Sequence, residues 1–305
     1  MQNFLIFLIA LNFSACNAPN KVTADTVESP TFKILYNLAR PDTTFLMPAE
    51  LIEISALSMM SDPSKMCTLQ DERGILYILD KKTGSVASKI PFESKGDFEG
   101  LEVVGDVAYA AKSNGTLYEI TKFGTEEQQI KQLKFFLTKK NNIEGLGHDE
   151  LKNNLLLACK GSGSETETFR RDIFAFNLKN RTVAAEPVYS ISNQQIVDFI
   201  YQTPTLDSTE FEIYLHPSAA EDWKLGPSAV ALHPVSHDVY LLSSVGKLLL
   251  VLDYKTGKLK YLQKLDKKIH AQPEGIVFDK DGTLYISNEG KKGSGGTIHR
   301  FVTRK

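Results

Sequence analysis

A short phrase recurs along this chain with variation, and no other feature constrains the fold as strongly. It reads Glu99-Gly100-Leu101, Glu144-Gly145-Leu146, Ser228-Ala229-Val230 and Glu274-Gly275-Ile276, with Glu53-Ile54-Ser55-Ala56-Leu57 as a looser first copy. After each phrase come a turn, an apolar run, a second turn and another apolar run, as in Val107–Ala111 and Thr116–Ile120, or Val239–Ser243 and Leu248–Leu252. Successive copies lie 46, 45, 84 and 46 residues apart. A period near ~45 residues built from short strands and turns predicts an all-β fold, a single β-propeller whose blades are four-stranded sheets.

Five phrases predict five blades. The 84-residue interval leaves room for a sixth, degenerate blade over 180–225, where no copy of the phrase stands. Pro187–Ile191 reads as the outer strand of the third blade, and Gln195–Tyr201 suits a helical turn as well as a strand. A propeller must also close without an exposed edge. The last blade ends soon after its third strand, so the apolar run Phe32–Leu38 is expected to supply the missing outer strand.

The chain of 305 residues has 42% hydrophobic and 24% charged residues, enough for one large core over 32–305. A formal net charge of −2 gives no basic footprint for nucleic acid. Residues 1–15 differ in kind. Phe4–Leu11 is too short to span a bilayer, which takes ~20 apolar residues, but has the length of a signal-peptide core. Phe13-Ser14-Ala15-Cys16 resembles the bacterial lipobox, whose Cys carries the lipid anchor, although Phe13 stands where Leu is usual and no Lys or Arg precedes the apolar run. Residues 16–31 are polar and aperiodic, as expected of a flexible tether. A folded body held at a membrane surface in the cell envelope is the expected arrangement. Cys67 and Cys159 fall in different, non-adjacent blades and are expected to be buried free thiols.

The segments Asp97–Asp106, Ser113–Tyr118, Pro227–Pro234 and Gln272–Ile276 together resemble the SdiA-regulated (YjiK-like) β-propellers of bacterial envelopes, over roughly residues 32–303. The resemblance implies a propeller at or outside the membrane, linked in some members to calcium and distantly similar to esterase-like phytases. The chain departs from the family pattern at Ser228 and in the long insertion from about 190 to 225.

Two groups of residues carry candidate chemistry. Glu99, Glu144 and Glu274, with Glu53, stand at the heads of inner strands and converge on the propeller axis. Carboxylates gathered in this way repel one another unless a cation sits among them, and hard oxygen donors suit Ca²⁺. Alternatively each Glu accepts hydrogen bonds from the backbone of the next blade. The second group follows the second strand of each blade: Asp71, Lys112, Lys160, Asn288 and Glu289, polar and different from blade to blade, as ligand contacts on a regular scaffold are. Asp279-Lys280-Asp281-Gly282 and His233–Asp238 read as turns, and no nucleophile–base arrangement emerges from the spacing. The expected function is a lipid-anchored module binding a small ligand, calcium or an envelope protein. The alternative is a calcium-dependent phosphoesterase, for which Lys112 and Lys160 are the clear phosphate partners.

Overall fold

In the computed structural model the described residues are 32–217, 223–291 and 294–304. Five antiparallel sheets stand in a ring. The inner strands are Ile54–Met59, Phe98–Val104, Ile143–Asp149, Gly226–Leu232 and Pro273–Phe278. Each contacts the next, and the fifth contacts the first, so the ring is closed around a central axis. The propeller therefore has five blades. The 84-residue interval holds an insertion, not a sixth blade.

Second strands such as Val107–Lys112 and Asn154–Cys159 are buried on both faces, which is why they read as continuous apolar runs rather than alternating ones. Outer strands such as Gln129–Lys134 are exposed and carry Lys residues that discourage edge pairing. The third and outer strands of blades one and four are joined by one repeated turn, Asp80-Lys81-Lys82-Thr83-Gly84 and Asp253-Tyr254-Lys255-Thr256-Gly257. In each the Asp carboxylate accepts from the backbone N–H groups two and three residues on and from the Thr hydroxyl, and the Gly has φ of 73° or 67°.

The phrase has a packing origin. In every blade the pairing register shifts at this point: Ile54/Ala56, Phe98/Gly100, Ile143/Gly145, Pro227/Ala229 and Pro273/Gly275. The residue after the bulge meets the neighbouring blade. A Cβ on Gly145 would lie 2.8 Å from the Cα of Ala229, and one on Gly275 would lie 2.9 Å from the Leu57 backbone nitrogen. Gly or Ala is required there because two backbones approach each other. Apolar cores then fill the space between blades, with Leu69, Leu76, Phe98 and Leu101 between the first and second.

Closure differs from the expectation in one respect. The strand that completes blade five is Thr43–Leu46, paired antiparallel with Thr297–Phe301. Residues 33–38 form no strand. Their two buried side chains explain why: Tyr36 inserts its ring among His233 and Phe278, and its hydroxyl donates to the Gly282 carbonyl at 2.7 Å. The Leu38 carbonyl bonds to His270 Nε2 at 2.9 Å. The apolar run packs across blades four and five as a strap, and the less apolar Thr43–Leu46 is the strand.

The outer edge of blade three is split between Thr182–Val183 and Tyr189–Ser192. From Ser192, which caps it with a reciprocal Gln195 bond, a helix runs over Asn193–Gln202. Ile196, Ile200, Phe211, Tyr214 and Trp223 from this insertion join the core between blades three and four. Cys67 and Cys159 are buried and free, as expected.

Candidate functional site

The heads of the inner strands and the loops after the second strands share one end of the ring, the upper face. The bulge aligns five residues there: Ser55, Glu99, Glu144, Ser228 and Glu274. Glu53 is thus not the first-blade equivalent of Glu99. Ser55 holds that place, two residues later, because the pairing of Ala56 with Leu69 matches that of Gly100 with Ala111.

The two serines pin blade to blade. Ser55 Oγ donates to the Phe98 carbonyl and Ser228 Oγ to the Pro273 carbonyl, each at 2.8 Å. The glutamates act differently: Glu144 accepts from Lys160 Nζ at 3.1 Å and from the Asn142 amide at 2.7 Å. The repeated position therefore carries two roles, and the short hydroxyl takes the structural one.

Around Lys160 the acids outnumber the bases. Burial, then Glu144, pushes the Glu99 carboxyl up to about 9, and the same two causes push Glu274 up to about 8. Burial raises Glu144 as well, opposed by its bond to Lys160. For Lys160 itself burial opposes the charge, but Glu144, Glu274 and Glu99 together hold its ammonium above the usual range. Below these side chains the tunnel narrows to a cavity of about 10 Å³, room for about one water.

A second acidic group adjoins the first. Asp71 is pushed up to about 6 by burial and then by Glu53, and Glu289 is raised by burial, Asp71 and Glu53. The Gln272 side-chain amide donates to Glu289. Two further features mark this rim: Asp71 Oδ1 is buried without a hydrogen-bond partner, and so are both amide atoms of Asn288, a residue only 2% exposed. Lys112 is not part of it. Its ammonium bonds the Lys95 carbonyl at 3.0 Å and lies over the Phe98 and Tyr118 rings, 4.8 and 5.4 Å from their centroids. The structure thus brings together Glu99, Glu144, Glu274 and Lys160, and beside them Glu53, Asp71, Asn288 and Glu289, and leaves Lys112 out. The sequence reading missed Ser55, Asn142 and Gln272. The repeat itself signals Ser55 once Ala56-Leu57, rather than Glu53, is set against Gly100-Leu101.

The oxygen donors have the chemistry for calcium, but among the described residues no group of three or more His, Cys, Asp or Glu side chains is placed to hold a metal ion. Inside the ring of glutamates a cation is already supplied by Lys160. The Asp279–Gly282 segment is a hairpin turn, with Gly282 N–H donating to the Asp279 carbonyl at 2.9 Å, and His233 and His237 lie in another turn.

The fold recurs among solved structures. The glutaminyl cyclase of Myxococcus xanthus is similar over 87% of this chain and 96% of its own, with TM-score 0.56 and 10% identity. The Pan2 WD40 domain of Neurospora crassa and the Cps50 (Swd1) propeller of Myceliophthora are matched at 14% identity, with TM-scores 0.41 and 0.40. Those two matches cover 83% and 81% of this chain and 64% and 65% of theirs, a little under two thirds of their length. No curated protein matches the sequence. Residues 217–291, the fourth blade with the inner and second strands of the fifth, match the SdiA-regulated family. The chain is a five-bladed β-propeller whose residues 217–291 are similar to the SdiA-regulated family.

Proposed function

We propose that the protein is a binding module of the cell envelope whose upper face takes a small cationic ligand, an ammonium-bearing molecule or calcium. One observation carries this: on the rim the Asp71 and Glu289 carboxyls are raised by burial and by neighbouring acids, Glu53 among them, beside Asn288 and Asp71 atoms that are buried without partners. A positive charge seated there relieves the repulsion and supplies the missing partner. Phosphate-ester hydrolysis is disfavoured by the same geometry, since Lys160 is engaged with Glu144 and Lys112 faces away. Melting temperature in the presence of Ca²⁺ or putrescine tests the proposal. Either cation is expected to raise it by mass action, and the double variant Asp71→Asn/Glu289→Gln is expected to lose the response while staying folded. A melting temperature indifferent to both cations would sink it.

Envelope location rests on the leader-like residues 1–15 and on Cys16, which lie outside the described residues. Among the described residues no helix is long and apolar enough to cross a membrane. Cys16→Ser is expected to abolish lipid labelling and release the protein from membranes. A variant that stays membrane-bound at precursor length would point to an uncleaved anchor instead.

A further inference from the structure

The opposite end of the tunnel has a different character. There the inner strands end around a cavity of about 290 Å³, at the lower edge of the range for small-ligand sites. Its walls are mixed, with an apolar part formed by Met59, Met60, Val103, Leu232 and Phe278 beside polar side chains. The Phe278 ring is held by edge contacts with Tyr240 and His233, at centroid distances of 4.9 and 5.0 Å, so this wall is formed in advance. Just outside, Leu151 and Val235 are 52% and 71% exposed, next in the chain to Glu150 and Pro234, which line the cavity.

Two polar side chains face this apolar part. Glu102 lines the cavity and is oriented by Ser58, whose hydroxyl donates to Glu102 Oε1 at 3.0 Å and accepts from the Val103 N–H at 2.9 Å. His148 lines it too, and its Nε2 is buried without a partner. We propose that this lower mouth binds a small, uncharged, mainly apolar molecule bearing one hydroxyl or N–H group, with Glu102 and His148 receiving the polar head. Burial favours the uncharged form of both side chains, raising Glu102 to about 8 and lowering His148, which matches a neutral head better than an ionic one. Lys280 and Glu150, of opposite sign, also line the mouth, so it offers no net attraction to an ion.

N-Phenyl-1-naphthylamine, a neutral apolar arylamine that fluoresces when taken out of water, is a suitable probe. The full chain is expected to bind it saturably at one site. Ala231→Phe, which fills the cavity from its wall, and His148→Leu, which keeps bulk but removes the free nitrogen, are each expected to weaken binding roughly tenfold or more. Because His148→Leu removes no hydrogen bond of the imidazole Nε2, the melting temperature verifies that this variant is folded. Glu165→Gln, in an exposed loop of the third blade, is expected to leave binding unchanged. Absence of saturable binding, affinity unaltered in His148→Leu, or loss of binding in Glu165→Gln would each overturn the assignment.

Discussion

At the residue scale, the five equivalent heads of the inner strands show how one position serves two purposes. Ser55 and Ser228 reach only as far as the next carbonyl and tie the blades together, whereas the longer Glu144 reaches Lys160, and Glu99 and Glu274 lie close enough to feel the charge of both. Lys160→Met is expected to destabilise by about 1–3 kcal/mol, the cost of leaving a buried partner unsatisfied, and more at pH 8 than at pH 5, where Glu144 more readily takes up a proton. Denaturant titrations at the two pH values check this. The glycine after the bulge is a separate constraint. In Gly145→Val the new side chain meets the Ala229 backbone, which cannot swing aside as a side chain can, and a loss of about 1–3 kcal/mol is expected. The same change at Gly105, whose Cβ would meet nothing within 4 Å, is strained only by its φ of 60°.

At the element scale, the closing strand and the strap are distinct devices and removable one at a time. Deleting residues 1–31 leaves both intact and is expected to leave the melting temperature of the body unchanged. Deleting 1–39 removes Tyr36 and Leu38 from blades four and five and is expected to destabilise without opening the ring. Deleting 1–47 also strips Thr43–Leu46 from Thr297–Phe301 and bares an edge in blade five, so aggregation or pairing between copies is expected by light scattering. Equal behaviour of the last two truncations would contradict closure by Thr43–Leu46. The run Phe32–Leu38 misled because apolar content marks burial, not backbone pairing, and a strap buried under aromatic side chains has as much of it as a strand.

At the scale of the whole molecule, the tunnel collects buried acids along its length, with Glu99, Glu274 and Glu102 all raised well above the ordinary carboxyl range by burial first. Each binds its proton more tightly folded than unfolded, so above neutral pH the native state holds more protons and stability falls as pH rises. The buried histidines, lowered by burial, act in the acid range instead, His270 down to about 4. A steady loss of melting temperature is therefore expected between about pH 7 and pH 9, and Glu99→Gln/Glu274→Gln is expected to flatten it, shifting the midpoint by about 2–4 °C for each kcal/mol relieved. By itself the sequence determined the propeller architecture, the inner, second and third strands and the turns between them, because these follow from local periodicity and turn chemistry repeated every ~45 residues, while the choice between five and six blades fell to the tertiary structure. It also named most of the upper-face site, since residues at equivalent points of a repeat must meet at the axis. Only the tertiary structure decided that Ser55 and not Glu53 completes the ring, that Lys160 is the cation within it, that Lys112 turns away, and which N-terminal segment closes the propeller. Those outcomes depend on bulge register, side-chain reach and contacts between residues as far apart as 43 and 300, none of which leaves a local pattern in the chain.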